Sequence, residues 1–175
     1  MNNAYKNMRS FWLDANNFKD KRGLKGAGKD GVIIAGLEYC MKDNNGNLKD
    51  IFLAASVLGN ASLYFENNSP SGIGGMIGEN NETIKKAALN FINAGAEMTD
   101  KMMPVSTLPE PKDPMKITLF AVSEKQIFYI ETEELAARNT QNPFYKFYAY
   151  SQQLISAFRQ NEAQAKNKAY KVFKI

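Results

Sequence analysis

The sequence contains no histidine among its 175 residues. Histidine titrates near neutral pH, acts as the base in many serine and cysteine nucleophile systems, and is the commonest metal ligand. Its absence excludes Ser-His-Asp and Cys-His catalysis, a His-ligated metal and a His-based phosphorelay. Carboxylate, lysine and tyrosine residues are present but form no recognisable catalytic motif. The sequence therefore favours a non-catalytic protein over an enzyme and predicts no cofactor and no metal site.

Cysteine and long apolar runs are also scarce. The single cysteine, Cys40, excludes an intramolecular disulfide and a cysteine-cluster metal site, and it fits a reducing compartment such as the cytoplasm. The longest apolar runs, such as "VIIAGL", are far shorter than the roughly 18 residues that a membrane span needs. We therefore expect a cytoplasmic protein without a membrane span.

Charge is unevenly distributed along the chain. Residues 1–31 carry a net charge of +4, residues 32–137 carry −6, and residues 138–175 carry +6. Cations alternate with aromatic residues near the C-terminus, and such a composition would permit nucleic-acid binding. The candidate contacts are Lys146, Arg159, Lys166, Lys168 and Lys171. The sequence favours the other interpretation, in which the basic ends pack beside or face the acidic middle.

The stretch "GLKGAGKD", residues 23–30, differs from the phosphate-binding G-x-x-x-x-G-K-[ST] pattern at one position, because Asp30 replaces the hydroxyl residue. A phosphate loop also needs a strand before it and a helix N-terminus after it. The polar, helical sequence before Gly23 provides no such strand. We therefore expect residues 20–30 to be a flexible basic connection and Lys29 to be solvated.

A second glycine-rich stretch, residues 69–80, lies between a predicted strand and a predicted helix. Its glycines are separated as G-x-G-G-x-x-G, which does not fit the dinucleotide-binding frame G-x-G-x-x-G. The sequence favours a surface loop there. A loop that binds an anion or another ligand is the alternative, with Gly72, Gly74, Gly75 and Gly78 as candidate contacts.

The first half of the chain predicts one helix and three strands. Apolar residues recur at helical spacing over residues 3–18. The segment "GVIIAGLEYCM" predicts a buried strand, with a short helix as the alternative, and a turn follows at residues 44–47. Residues 51–67 predict two strands joined at Gly59 and Asn60.

The second half predicts a helix over residues 81–97, with Asn80 or Asn81 as its cap, and a hairpin over residues 115–132. Between them, the segment 99–114 contains four of the six prolines and predicts an exposed linker. A long helix starts at Asn142 and Pro143 and ends in a polar tail, residues 160–175. Its predicted buried stripe consists of Phe144, Phe147, Tyr148, Ser151, Leu154, Ile155 and Phe158.

The predicted element order is α-β-β-β-α-β-β-α. It indicates a single α+β domain over residues 1–175, with an antiparallel sheet covered on one face by helices. The absence of a catalytic motif favours a non-catalytic protein-binding or regulatory domain that associates with another chain or with itself as a homo-oligomer. The alternative is a nucleic-acid-binding protein that uses its basic termini. A third hypothesis is an enzyme or ligand-binding protein with its site at residues 69–80.

Overall fold

The apolar segment that follows residue 31 forms the central strand, β1 (Val32–Lys42). The computed structural model describes residues 3–18, 25–66, 73–78 and 81–172, with the backbone alone beyond residue 163. Every side chain of β1 from Val32 to Cys40 is buried except that of Tyr39, which is half-buried. Burial on both faces is typical of a strand that is covered on each side by other elements.

Six further strands join β1 in one antiparallel sheet within the described residues. They are β2 (Leu48–Ser56), β3 (Ala61–Glu66), β4 (Ile73–Ile77), β5 (Met103–Val105), β6 (Lys116–Ser123) and β7 (Ile127–Glu133). Their spatial order is β4-β3-β2-β1-β6-β7-β5. The predicted α+β class and antiparallel sheet are confirmed. The two outermost strands, β4 and β5, were not predicted.

Glycines permit the two predicted turns. Gly46 has a φ of +80° between β1 and β2, and Gly59 has a φ of +82° between β2 and β3. Residues with a side chain rarely adopt this left-handed region. Ser56 donates its backbone N–H to Asn60 O at 2.8 Å, which closes the second turn.

Four α-helices are present in the described part of the chain: α1 (Asn3–Leu13), α2 (Glu82–Ala96), α3 (Glu134–Ala137) and α4 (Tyr145–Val172). The Asn81 side chain caps α2, as predicted, by accepting a hydrogen bond from the Ile84 amide at 3.1 Å. The first helix ends at Leu13 instead of residue 18. Asp14 accepts hydrogen bonds from the backbone and side chain of Asn16, an arrangement that competes with helix continuation.

Helices cover both faces of the sheet, whereas the sequence predicted helices on one face. The α2 and α4 helices pack on one face, which we call the α2/α4 face, and all seven residues of the predicted α4 stripe are buried. The opposite face, which we call the α1 face, contacts α1 and a 3-10 turn (Ala15–Phe18). Tyr5 packs edge-on against Phe52, and Trp12 stacks on Phe18. The aromatic stripe of α1 therefore has its own sheet surface to cover.

The proline-rich segment 99–114 contains secondary structure, and three of its residues are buried although most are exposed. It contains a 3-10 turn (Thr99–Lys101) and strand β5, and its Leu108 is 1% exposed in the cluster on the α1 face. Pro104 is tolerated because β5 is an edge strand, where one side of the strand forms no ladder. The prolines exclude a central strand, as predicted, but they permit this edge position.

The polar tail predicted over residues 160–175 is helical as far as Val172. In the described residues, no helix is both long and apolar enough to cross a membrane.

Candidate functional site

The glycine-lysine stretch forms a tight turn that leads into a strand. Ala27 and Val32 exchange two backbone hydrogen bonds of 2.7 and 2.8 Å, and Gly28 and Gly31 both have a φ of +65°. The helix N-terminus that a phosphate loop requires is missing, because β1 follows the turn directly. The part of the predicted flexible segment that covers residues 20–24 lies outside the described residues.

Lys29 and Asp30 have protein partners at the C-terminal end of α2. The Lys29 side chain is 62% exposed and pairs with Asp100, and the hydrogen bond with that carboxylate raises the lysine pKa. Asp30 accepts a hydrogen bond from Thr99 Oγ1 at 2.6 Å. A helix C-terminus carries partial negative charge, and Glu97 and Asp100 add to it. This environment disfavours a phosphate.

Two of the glycines of the second stretch lie in a strand instead of a surface loop. Gly74 and Gly75 belong to β4, Gly78 follows it, and Gly72 lies outside the described residues. A Cβ on Gly75 would be 2.7 Å from Tyr64 Cδ1, and one on Gly78 would be 2.3 Å from Ile84 Cγ2. Position 78 therefore needs glycine, because Ile84 is fully buried, whereas a Cβ at position 75 would require the half-buried Tyr64 to move.

The five basic candidate residues all lie on α4 but are spread along it. Lys146 forms an ion pair of 2.6 Å with Glu97, whereas Arg159 lies at the rim of a cavity between α4 and the sheet. Lys166, Lys168 and Lys171 lie in the last turns of the helix, where the structure describes only the backbone. The described side chains therefore form no continuous basic surface.

A buried ion pair holds α1 on the sheet, and nothing in the sequence pattern indicates it. Arg9 donates to both carboxylate oxygens of Glu38 at 2.8 to 3.0 Å and also to the carbonyl oxygens of Leu108 and Pro109. Tyr5 donates to Glu38 at 3.2 Å. Burial raises the pKa of Glu38, although the hydrogen bonds from Arg9 and Tyr5 oppose this effect. Glu38 is fully buried and bonded, so we assign this cluster a structural role.

The edge strand β4 presents backbone groups that β3 does not use. Gly78 donates its N–H to Ala61 O at 2.9 Å, and this bond defines which residues of β4 direct their backbone groups toward β3. In an antiparallel pair every second residue bonds to the neighbouring strand. Gly74 and Met76 therefore bond toward β3, whereas Gly75 and Ile77 direct their N–H and C=O groups away from the sheet.

Exposed apolar side chains lie on β4 and on the adjacent strand β3. Ile77 is 61% exposed and Phe65, on the adjacent strand, is 37% exposed. The five residues of β4 include no charged residue and no proline, the two features that most often block an edge strand.

Helix α4 reaches the same edge of the sheet. Asn81, three residues after Gly78, donates from its side chain to Asn161 Oδ1 at 2.8 Å. The α4 backbone then continues for eleven residues to Val172. At 1.5 Å per residue this extension is about 16 Å long.

A cavity of about 360 Å³ lies between α4 and the ends of β1, β2, β3 and β4. Its apolar lining is formed by Tyr39, Met41, Ile51, Leu63, Phe65, Met76 and Ile155. Four charged residues, Asp43, Lys49, Glu66 and Arg159, complete it. The volume and the largely apolar lining are within the range of small-molecule binding sites.

No protein-family model matches this sequence, and a search of curated proteins finds no significant match. The function must therefore be inferred from the β4 edge and the cavity themselves.

Proposed function

We propose that the protein is a non-catalytic binding domain that accepts a strand of another protein chain on the outer edge of β4, and that this chain is a second copy of itself. The observation that carries the proposal is the outward direction of the N–H and C=O groups of Gly75 and Ile77. Strand addition to an exposed sheet edge is a common mode of protein recognition, in which the backbone supplies most of the hydrogen bonds.

The positions of these groups are compatible with twofold symmetry. If two β4 strands pair antiparallel with Met76 opposite Met76, Gly75 of each copy lies opposite Ile77 of the other. Both pairs are then of the hydrogen-bonded type and form four hydrogen bonds in total. One surface that pairs with itself in this way is what a twofold dimer requires.

Side-chain chemistry favours the same association. The uncharged strand brings no like charges together when two copies meet, and the exposed side chain of Ile77 would lose contact with water. A homo-oligomer therefore uses surfaces that a monomer leaves exposed.

Native mass spectrometry of protein purified from its own host tests the proposal. Wild type should be a dimer, and Ile77→Pro should be a monomer, because proline removes the outward N–H of residue 77. The control Ile77→Val keeps this N–H and a β-branched side chain, so it should remain dimeric. A monomeric wild type without a protein partner would contradict strand addition, whereas a different protein bound at β4 would contradict self-association alone.

Nucleic-acid binding by the basic termini stays the alternative prediction. Titration with a generic duplex or single strand would test it, because each phosphate that a cation neutralises releases counterions and makes the affinity fall as salt rises. Negligible binding at about 50 mM salt would remove this alternative. We also propose a cytoplasmic location, where a reducing environment would keep Cys40 as a thiol. An enzyme with its site at residues 69–80 remains a third hypothesis.

A further inference from the structure

We propose that the cavity between α4 and the sheet binds a medium-chain amphipathic anion, whose apolar tail enters the cavity and whose carboxylate meets Arg159. This site lies on the α2/α4 face, and binding there does not require strand addition at β4. The argument depends on the size of the cavity, its lining and the charges at its rim.

The size of the cavity limits the length of the tail. A volume of about 360 Å³ corresponds to roughly twelve units of the size of a water molecule in the liquid, at about 30 Å³ each. The ten-carbon chain of decanoate is within this limit and leaves its carboxylate at the rim. The side chains of Leu63, Ile51 and Ile155 would contact the tail and provide the hydrophobic contribution to binding.

The charge of the head group follows from the rim. The Asp43 carboxylate already accepts hydrogen bonds from the backbone N–H groups of Asn45 and Asn47, which close the turn between β1 and β2. Lys49 and Glu66 each take part in other interactions. Arg159 is exposed and has no ion pair among the described residues. Its charge is therefore available to an anion from solution.

Tyr39 provides a second donor near Arg159. Burial and the charge of Glu134 raise the pKa of the Tyr39 phenol, whereas Arg159 is close enough to lower it. The net shift is upward, so the phenol keeps its proton at neutral pH and can donate a hydrogen bond. A carboxylate beside Arg159 could accept from both groups, and hydrogen bonds to a charged group are the stronger ones.

Isothermal titration calorimetry with decanoate tests this site. One decanoate should bind per chain. Decanol, which has the same tail without the charge, should bind at least about tenfold more weakly. Arg159→Gln should weaken decanoate binding by about tenfold or more. The control Lys125→Gln removes the same charge from the turn between β6 and β7, at the opposite end of the sheet, and should leave the affinity unchanged.

A second variant tests the cavity independently of the charge. Met41 lines the cavity but is 47% exposed, so Met41→Trp should fill the entrance without overpacking a closed core. It should abolish binding of decanoate and of decanol. The absence of saturable decanoate binding, or binding that neither Arg159→Gln nor Met41→Trp changes, would overturn the proposal. Because the titration requires no second chain, either result would leave strand addition at β4 to be decided by the oligomeric state.

Discussion

The two edges of the sheet differ in length, composition and anchoring. Strand β4 has five uncharged residues and directs the backbone groups of Gly75 and Ile77 outward. Strand β5 has three residues, with Pro104 at its centre. The chain that follows β5 is fixed to the α1 face by Leu108, whose carbonyl oxygen accepts a hydrogen bond from Arg9 at 3.1 Å. One edge is thus short and blocked by proline, whereas the other can accept a further strand.

This difference separates the regions that stabilise the fold from the region that can bind. The buried ion pair of Arg9 and Glu38 connects α1, the central strand and the proline-rich segment. Changes there should act on stability. Changes at β4 should act on association, because its outer groups have no role in the ladder with β3.

The largest effect is expected where the anchoring on the α1 face is broken. Arg9→Met should lower the free energy of unfolding by about 3–5 kcal/mol, because it leaves the buried Glu38 carboxylate without its cation. Urea denaturation of wild type and variant measures the difference. Arg9→Met combined with Glu38→Gln should recover part of it, since the second change removes the unpaired charge. An Arg9→Met variant as stable as wild type would contradict the structural role of the pair.

The same variant should depend on pH in a defined direction. Burial raises the pKa of Glu38 above its unfolded value, and the loss of Arg9 removes hydrogen bonds that lower it. A carboxyl group whose pKa is higher in the folded state lowers the free energy of unfolding progressively as pH rises from its unfolded pKa to its folded pKa. Below the unfolded pKa of about 4.3 it has no such effect. The deficit of Arg9→Met relative to wild type should therefore shrink as pH falls toward 4. A deficit that grows on acidification would oppose this assignment.

A smaller effect distinguishes the centre of the sheet from the β4 edge. A Cβ on Gly36 in β1 would lie 1.9 Å from Phe120 Cζ, in the closed cluster on the α1 face, so Gly36→Ala should destabilise by about 1–3 kcal/mol. Gly75→Ala meets Tyr64 at 2.7 Å, but Tyr64 is only half-buried and can move. Thermal unfolding should show the larger loss for Gly36→Ala. The reverse order would show that the edge is as closely packed as the centre.

The sequence predicts the elements in which apolar residues recur at regular spacing. It does not predict those that depend on contacts between residues distant in the sequence. The α4 stripe and the strands β1, β2, β3, β6 and β7 follow from apolar spacing. The sequence predicts a loop at β4 because glycines are usual in turns, and only the pairing with β3 defines this segment as a strand. The bonds from Arg9 to Glu38 and Pro109 join residues 29 and 100 positions apart, so no local pattern indicates them.

The smallest effect on stability is expected from charges placed at the two edges. Ile77→Lys and Met103→Lys each place a charge on an exposed edge residue, and each should change the free energy of unfolding of the monomer by no more than about 0.5 kcal/mol. Their effects on association should differ. In sedimentation velocity, Ile77→Lys should shift the protein to monomer, whereas Met103→Lys should sediment as wild type does. Equal behaviour of the two variants would remove the distinction between the edges.

Amide hydrogen exchange at Gly75 and Ile77, followed by NMR across a dilution series, tests strand addition most directly. We predict that both amides exchange slowly at concentrations where the dimer forms and rapidly after dilution to monomer, while the amide of Gly78, bonded to Ala61, stays protected throughout. Rapid exchange of Gly75 and Ile77 at concentrations where the protein is dimeric would show that the dimer does not use β4 and would contradict the proposed function.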